Sequence, residues 1–197
     1  EREAAQRAHD GQVVSIIGTL FHQLEGERRQ RLLGKFAEED AAKTAVLLAM
    51  RGAYETHVGV AAEAAEEAAD DEADDDDDEE GRPTADERVY LARLDAGLNT
   101  LHLIDMVLGY LATSRAKQLR VGVLQGLYTQ GRSLHDVAAG IDEYCRIGLS
   151  ATTADQRRDE QLKAMAAAVQ ALLLKYAQPA AASAGPARPS GEGSLAA

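Results

Sequence analysis

Residues 86–112, DERVYLARLDAGLNTLHLIDMVLGYLA, restrict the possible folds more than any other stretch of the chain. Tyr90, Leu94, Gly97, Leu101, Ile104, Leu108 and Leu111 recur at alternating spacings of four and three residues, a helical period and not a strand period. Thr84-Ala85-Asp86-Glu87 forms a Thr-x-x-Glu capping box, and Pro83 stands just before it, so the start is well marked. A single helix of this length would run about 40 Å. Its second half is apolar nearly all round, because Leu103, Met106 and Tyr110 lie opposite the main stripe. A helix apolar on both sides is sandwiched between other helices. The rest of the chain must supply them.

It does so on both sides. Residues 3–24 read as a helix that buries Val13, Val14, Ile16, Ile17, Leu20, Phe21 and Leu24. A short basic helix, 27–36, turns Leu32, Leu33 and Phe36 inward. A third, 38–54, carries Val46, Leu47, Met50 and Tyr54. Beyond the central stretch, Ser114 is placed to cap a helix running to Thr129 through Leu119, Val123, Leu124 and Leu127. Residues 133–145 open another, with Leu134, Val137, Ile141, Tyr144 and Cys145 on one side. The capping box at 153–156 opens a last one through Met165, Val169, Leu172, Leu173 and Tyr176. Nothing reads as a strand. Short connections between unequal helices predict an all-α stack or the end of a helical solenoid, closed by an atypical terminal cap. The expected units are helices of terminal repeats over 1–60, a disordered acidic loop over 61–83, the cap over 84–178, and a disordered tail over 179–197. The chain has no initiator Met, and it reads as a fragment of something longer.

Charge sharpens the boundary at the loop. Net charge is −12, but 13 of the 33 acids fall within 63–80, where there is no base. The other 20 acids are balanced by 21 bases. The body is therefore near neutral, and the acid, including Asp74, Asp75, Asp76, Asp77 and Asp78, acts only locally. The first half of 61–81 could extend a helix, whereas like charges without apolar residues to bury predict disorder in its Asp-rich second half, and a lure for Lys/Arg-rich peptides is the functional alternative. The single cysteine excludes an intrachain disulfide and fits a reducing compartment. No apolar run is long enough to span a membrane.

Little in the chain points to catalysis. His9, His22, His57, His102 and His135 lack metal-ligand spacing, Cys145 has no evident base beside it, and glycine-rich phosphate loops are missing. No cofactor is expected. Arg28, Arg29, Arg31 and Lys35 offer cations to a partner, yet no aromatic interleaves with them, so direct nucleic-acid binding is not expected. Asp105 is the sharpest oddity, an acid inside the apolar stripe. It calls for an Arg or a helix N-terminus supplied by the next helix, or else for a role in lining a recognition groove. Gly97, on the same stripe, is expected to permit close helix approach.

Tyr90-Leu91-Ala92-Arg93-Leu94-Asp95-Ala96-Gly97-Leu98, followed by Leu101 and Ile104-Asp105, resembles the YLxRLDAGLxxLxxI segment of the beta-catenin-like protein 1 family. Arg28 to Asp40, RRQRLLGKFAEED, is similar to that family's RxRLLxKFxExD stretch. Leu119-Arg120, Val123-Leu124-Gln125, Arg132-Ser133-Leu134 and Asp142-Glu143-Tyr144 follow its later pattern, although Gly122 replaces a basic residue. The order agrees from about Val13 to Tyr176 and corresponds to the family's C-terminal portion. The resemblance implies a non-enzymatic, nuclear, armadillo-type scaffold associated with the spliceosome through the nineteen complex. It also implies recognition of basic nuclear-localisation-type segments of splicing factors, among them the cell-division-cycle-5-like protein. The alternative from the acidic run is a chaperone-like module for basic proteins such as histones. An enzyme would have only Asp105, Cys145 and the scattered histidines to work with.

Overall fold

The computed structural model describes residues 2–38, 42–71, 83–151 and 156–177, and every regular element among them is a helix. These are α1 (Arg2–Gln23), α2 (Gly26–Ala37), α3 (Ala42–Asp71), α4 (Ala85–Asp95), α5 (Leu98–Thr113), α6 (Lys117–Thr129), α7 (Leu134–Ala151) and α8 (Gln156–Ala177). The hub is α5. It packs against α1, α3, α6, α7 and α8, and 12 of its 16 residues are buried, so it is enclosed on all sides. Leu98, Ile104, Met106, Leu108 and Leu111 are each at most 1% exposed and form the centre of the core.

The long helix expected over 86–112 is two helices. Gly97 takes φ +105°, a left-handed conformation that ends α4 and lets α5 begin at once. A Cβ there would also meet the Tyr54 ring at 2.7 Å, so the glycine permits a close approach to α3 as well. The capping box stands as expected. Glu87 N–H donates to Thr84 Oγ1 at 3.2 Å, and Thr84 N–H donates to the Glu87 carboxylate at 2.8 Å.

Other boundaries move. Continuing through Gly52 and Gly59, α3 reaches Asp71, so the segment assigned to the acidic loop from residue 61 is helical for its first eleven residues, the part whose composition allowed a helix. Tyr54, Val58 and the core beneath them hold this extension, which α4 covers along its side. Ser114 closes α5, its N–H donating to the Leu111 carbonyl at 3.3 Å, and α6 instead begins after Ala116. Val13 and Ile16, placed on the buried side of α1, are 40% and 61% exposed. Only the Val14, Gly18 and Phe21 side of α1 meets α5. Val46 of α3 is likewise 58% exposed, while Leu47 and Leu48 are buried. The first three residues of the second capping box at 153–156 and the tail over 179–197 lie outside the described residues.

Leu101→Ala tests this packing. Leu101 sits on α5 and is 9% exposed, so a loss of about 2–3 kcal/mol is expected, the lower part of the range for buried Leu truncation. Urea unfolding followed by far-UV circular dichroism measures it, and a loss under about 0.5 kcal/mol would place Leu101 outside the core.

Candidate functional site

Two charge networks, one anchored on the buried Arg51–Asp105 pair and one half-buried, pin the helices around α5. In the first, Arg51 Nε donates to Asp105 Oδ1 at 2.6 Å, and the two side chains are only 3% and 1% exposed. Arg51 also reaches Glu55 at 3.3 Å, and Glu55 accepts from Arg132 Nε at 2.9 Å. A chain of alternating charge thus runs from the core to the α6–α7 turn. Burial pushes the Asp105 carboxyl up to about 7 despite the neighbouring guanidinium. Burial opposes the charge on Arg51 too, but the Asp105 and Glu55 carboxylates outweigh it and raise its pKa.

In the second network, Arg93 makes a bidentate pair with Glu143 at 2.9 and 3.1 Å, and His102 Nε2 lies 3.0 Å from the same carboxylate. Burial holds the His102 pKa below its ordinary value, against the pull of Glu143. Burial alone would raise Glu143, yet Arg93 and His102 together keep it lowered. This network ties α4 and α5 to α7. Both networks are structural: their polar groups are turned toward one another and consumed.

The expected site residues divide accordingly. Asp105 meets an Arg as expected, but from α3, the preceding long helix, not from the following one. Leu98 and Leu101 are core, Tyr90 and Leu94 are half-buried, and Leu91 and Asp95 face solvent. Of the basic face of α2, Arg28 is exposed, Arg31 lies 4.0 Å from Glu27, and Lys35 donates to Glu38 at 2.8 Å. Arg29 turns inward, donating to the Leu24 carbonyl at 2.7 Å with its guanidinium 5.4 Å from the centre of the Tyr110 ring. The four cations therefore do not form one patch. Asp74, Asp75, Asp76, Asp77 and Asp78 lie outside the described residues. Cys145 is half-buried, and burial raises its thiol pKa, the opposite of nucleophile activation. No group of three or more potential metal ligands occurs among the described residues.

Among the described residues, two clefts lie beside exposed polar side chains suited to partners. At the far end of α3, Glu63, Glu66, Glu67 and Asp70 are exposed, and a cleft of about 360 Å³ separates them from α4. Asp86, Val89, Tyr90 and Arg93 line its other side, the Arg93 guanidinium being held by Glu143. The second surface is a groove of about 780 Å³ between α1 and the ends of α5, α7 and α8. Sequence reasoning missed this groove, because hydroxyls and amides on a helix surface leave no distinctive pattern. It could have found Arg51, the one cation in the stripe Leu47, Arg51, Tyr54 and Val58.

An enclosed hub helix, surrounding helices of unequal length, and polar surfaces without a reactive cluster among the described residues define an all-α, armadillo-type helical stack. The sequence model of the family described as "Catenin-beta-like, Arm-motif containing nuclear" matches residues 1–142. The chain belongs to this family, and membership places it in the nucleus. It is similar to beta-catenin-like protein 1 of Bos taurus, 31% identical over 82% of this chain and 28% of that protein. Its similarity to the Homo sapiens protein is 31% identity over 79% of this chain and 27% of the relative. The chain therefore spans little more than a quarter of the length of these relatives. No helix among the described residues is long and apolar enough to cross a membrane.

Proposed function

We propose that this chain is part of a non-enzymatic protein-binding scaffold of pre-mRNA splicing, associated with the spliceosome through the nineteen complex. In this reading it binds basic nuclear-localisation-type segments of splicing factors such as the cell-division-cycle-5-like protein. The observation that carries the reading is the acidic end of α3. Glu63, Glu66, Glu67 and Asp70 are exposed beside the α3–α4 cleft, and the sequence continues from there into the acidic run through Glu80. A Lys/Arg-rich segment meets strong local attraction at this end and nowhere comparable on the near-neutral remainder. Tyr90 offers the cleft a ring against which a cation or its alkyl stem can rest. Membership in a nuclear Arm-motif family supports the same direction.

Titration with a basic nuclear-localisation-type peptide of the cell-division-cycle-5-like protein tests the proposal. Binding at 50 mM salt should weaken at least tenfold when residues 72–80 are deleted. The difference should shrink at 0.5 M salt, where the Debye length falls to about 4 Å. Equal affinity of the two proteins at low salt refutes it. The acidic end equally suits the second reading, a chaperone-like module for histones. A histone-tail peptide of matched charge separates the two: equal binding of both peptides favours the chaperone, and preference for the splicing-factor segment favours the scaffold.

A further inference from the structure

The groove between α1 and α8 has a lining unlike the acidic end of α3. One wall is α1, which presents Ser15, Thr19 and Gln23 at four-residue steps. The facing wall is Asn99 and Thr100 at the start of α5, with Gln161 from α8. Leu103 and Tyr144 add apolar surface, and His22 adds an imidazole. Among the described residues, no acid, lysine or arginine lines it. One end is tight, since a Cβ on Gly11 would stand 3.2 Å from Thr100 Oγ1. At the other, Gln161 Nε2 donates to Glu25 at 3.4 Å.

We propose that this groove seats an extended, uncharged polypeptide segment and reads its main chain. Three observations converge on that ligand. First, most of the polar lining is amides and hydroxyls, each able to donate and accept, which suits the alternating N–H and C=O groups of a peptide backbone. A charged segment would lose hydration here and, beyond Glu25 at the far end, find no carboxylate, lysine or arginine to pair with. Second, the steps along α1 rise by about 6.0 Å, and two residues of extended chain rise by about 6.6 Å. Ser15, Thr19 and Gln23 can therefore meet every second residue of a strand laid along α1. Third, Gln161 lines this groove, and its Oε1 is buried with no hydrogen-bond partner among the described residues. Its amide nitrogen is already held by Glu25, so the oxygen remains as an acceptor for an incoming N–H. The site is separate from the acidic end of α3, and it stands whether or not that end binds basic segments.

The test uses the whole 197-residue chain labelled with nitrogen-15 and three blocked ten-residue peptides. One is built from Ser, Gly, Ala and Asn, one is rich in Lys and Arg, and one in Asp and Glu. The neutral peptide should shift the side-chain amide resonances of Gln23, Asn99 and Gln161, saturating with a Kd on the order of 1 mM. Thr19→Arg, on the exposed side of α1, should weaken that binding at least tenfold while leaving the methyl resonances of the Ile104 core in place. Three results would overturn the proposal. These are no movement of those three amides with the neutral peptide at 10 mM, stronger movement of them with a charged peptide, or unchanged binding to Thr19→Arg. If the basic peptide shifts only resonances at the end of α3 while the neutral one shifts the groove, both proposals hold. If the basic peptide shifts nothing and the neutral one shifts the groove, only the scaffold reading fails.

Discussion

Arg51→Leu is expected to destabilise this protein by about 3–5 kcal/mol at pH 8, because it leaves Asp105 charged, buried and without its partner. The network offers no substitute for the guanidinium. Arg132 is its other cation, and it is engaged with Glu55 at the α6–α7 turn. The carboxyl must then take up a proton, so the loss should be smaller at pH 5 than at pH 8. The sign for the unmodified protein follows from the same carboxyl. Its folded pKa of about 7 stands above the ordinary 3.8, so between those values the folded state binds the proton more tightly than the unfolded chain. The stabilising contribution of the protonated form is fully present near pH 4 and is lost as pH rises through 7. Glu143, Glu87 and Asp136, all lowered, act in the opposite sense: their contributions are present above their unfolded pKa and are lost as pH falls through their depressed folded pKa values. Urea titrations at pH 5 and pH 8 of the unmodified chain and of Asp105→Asn isolate the one carboxyl. Identical pH dependence in the two proteins would show that Asp105 does not titrate in this range. The double replacement Arg51→Leu with Asp105→Leu should recover most of the stability, since an apolar pair in place of a buried ion pair is often neutral or better.

That ion pair also shows how far the sequence could be read. Asp105 stood out because a carboxylate inside an apolar stripe demands a partner, and the demand alone pointed to an arginine or a helix N-terminus. The helix supplying it was misplaced because partner choice depends on three-dimensional packing, which one helical wheel does not contain. Helix existence was legible wherever apolar residues kept the 3.6 period, as in α5, α6 and α7. Boundaries were legible where a side chain caps, as at Thr84, and illegible where only backbone conformation decides. Gly97 shows the difference: the four-three spacing continues across it because α5 begins immediately, so the stripe hides a left-handed turn. The extension of α3 to Asp71 was legible only as a possibility. Alternating Ala and Glu carry good helix propensity but no apolar stripe, so only the neighbouring α4 reveals that this segment is held. The interaction surfaces were the least legible part. The acid was visible as charge, whereas the groove along α1 consists of Ser, Thr, Gln and Asn, residues that could sit on any helix surface.

Gly140 carries a constraint as large as that of the ion pair. It lies on α7 directly over Asp105, and a Cβ at that position would fall onto the Asp105 carboxylate. The obstacle is not the movable tip of a surface side chain. The carboxylate is held by Arg51 at 2.6 Å and is closed in on every side. Gly140→Ala must therefore either lift α7 away from α5 or push Asp105 off its partner. The first opens the contact made by Val137 and Ile141, both at most 1% exposed. The second leaves two buried charges misaligned. Overpacking alone costs about 1–3 kcal/mol, and disturbing the pair adds to it, so the expected total is roughly 3–5 kcal/mol. Helix propensity pulls the other way by only about 1 kcal/mol, since Ala is favoured over Gly within a helix. The two effects can be separated. A Cβ added to Gly34, on the exposed side of α2, would meet nothing within 4 Å, so Gly34→Ala should stabilise by up to about 1 kcal/mol. Urea unfolding of both variants decides the matter. If Gly140→Ala were as stable as Gly34→Ala, α7 would not rest on the Asp105 carboxylate, and the pinning of α3, α5 and α7 by one buried ion pair would have to be abandoned.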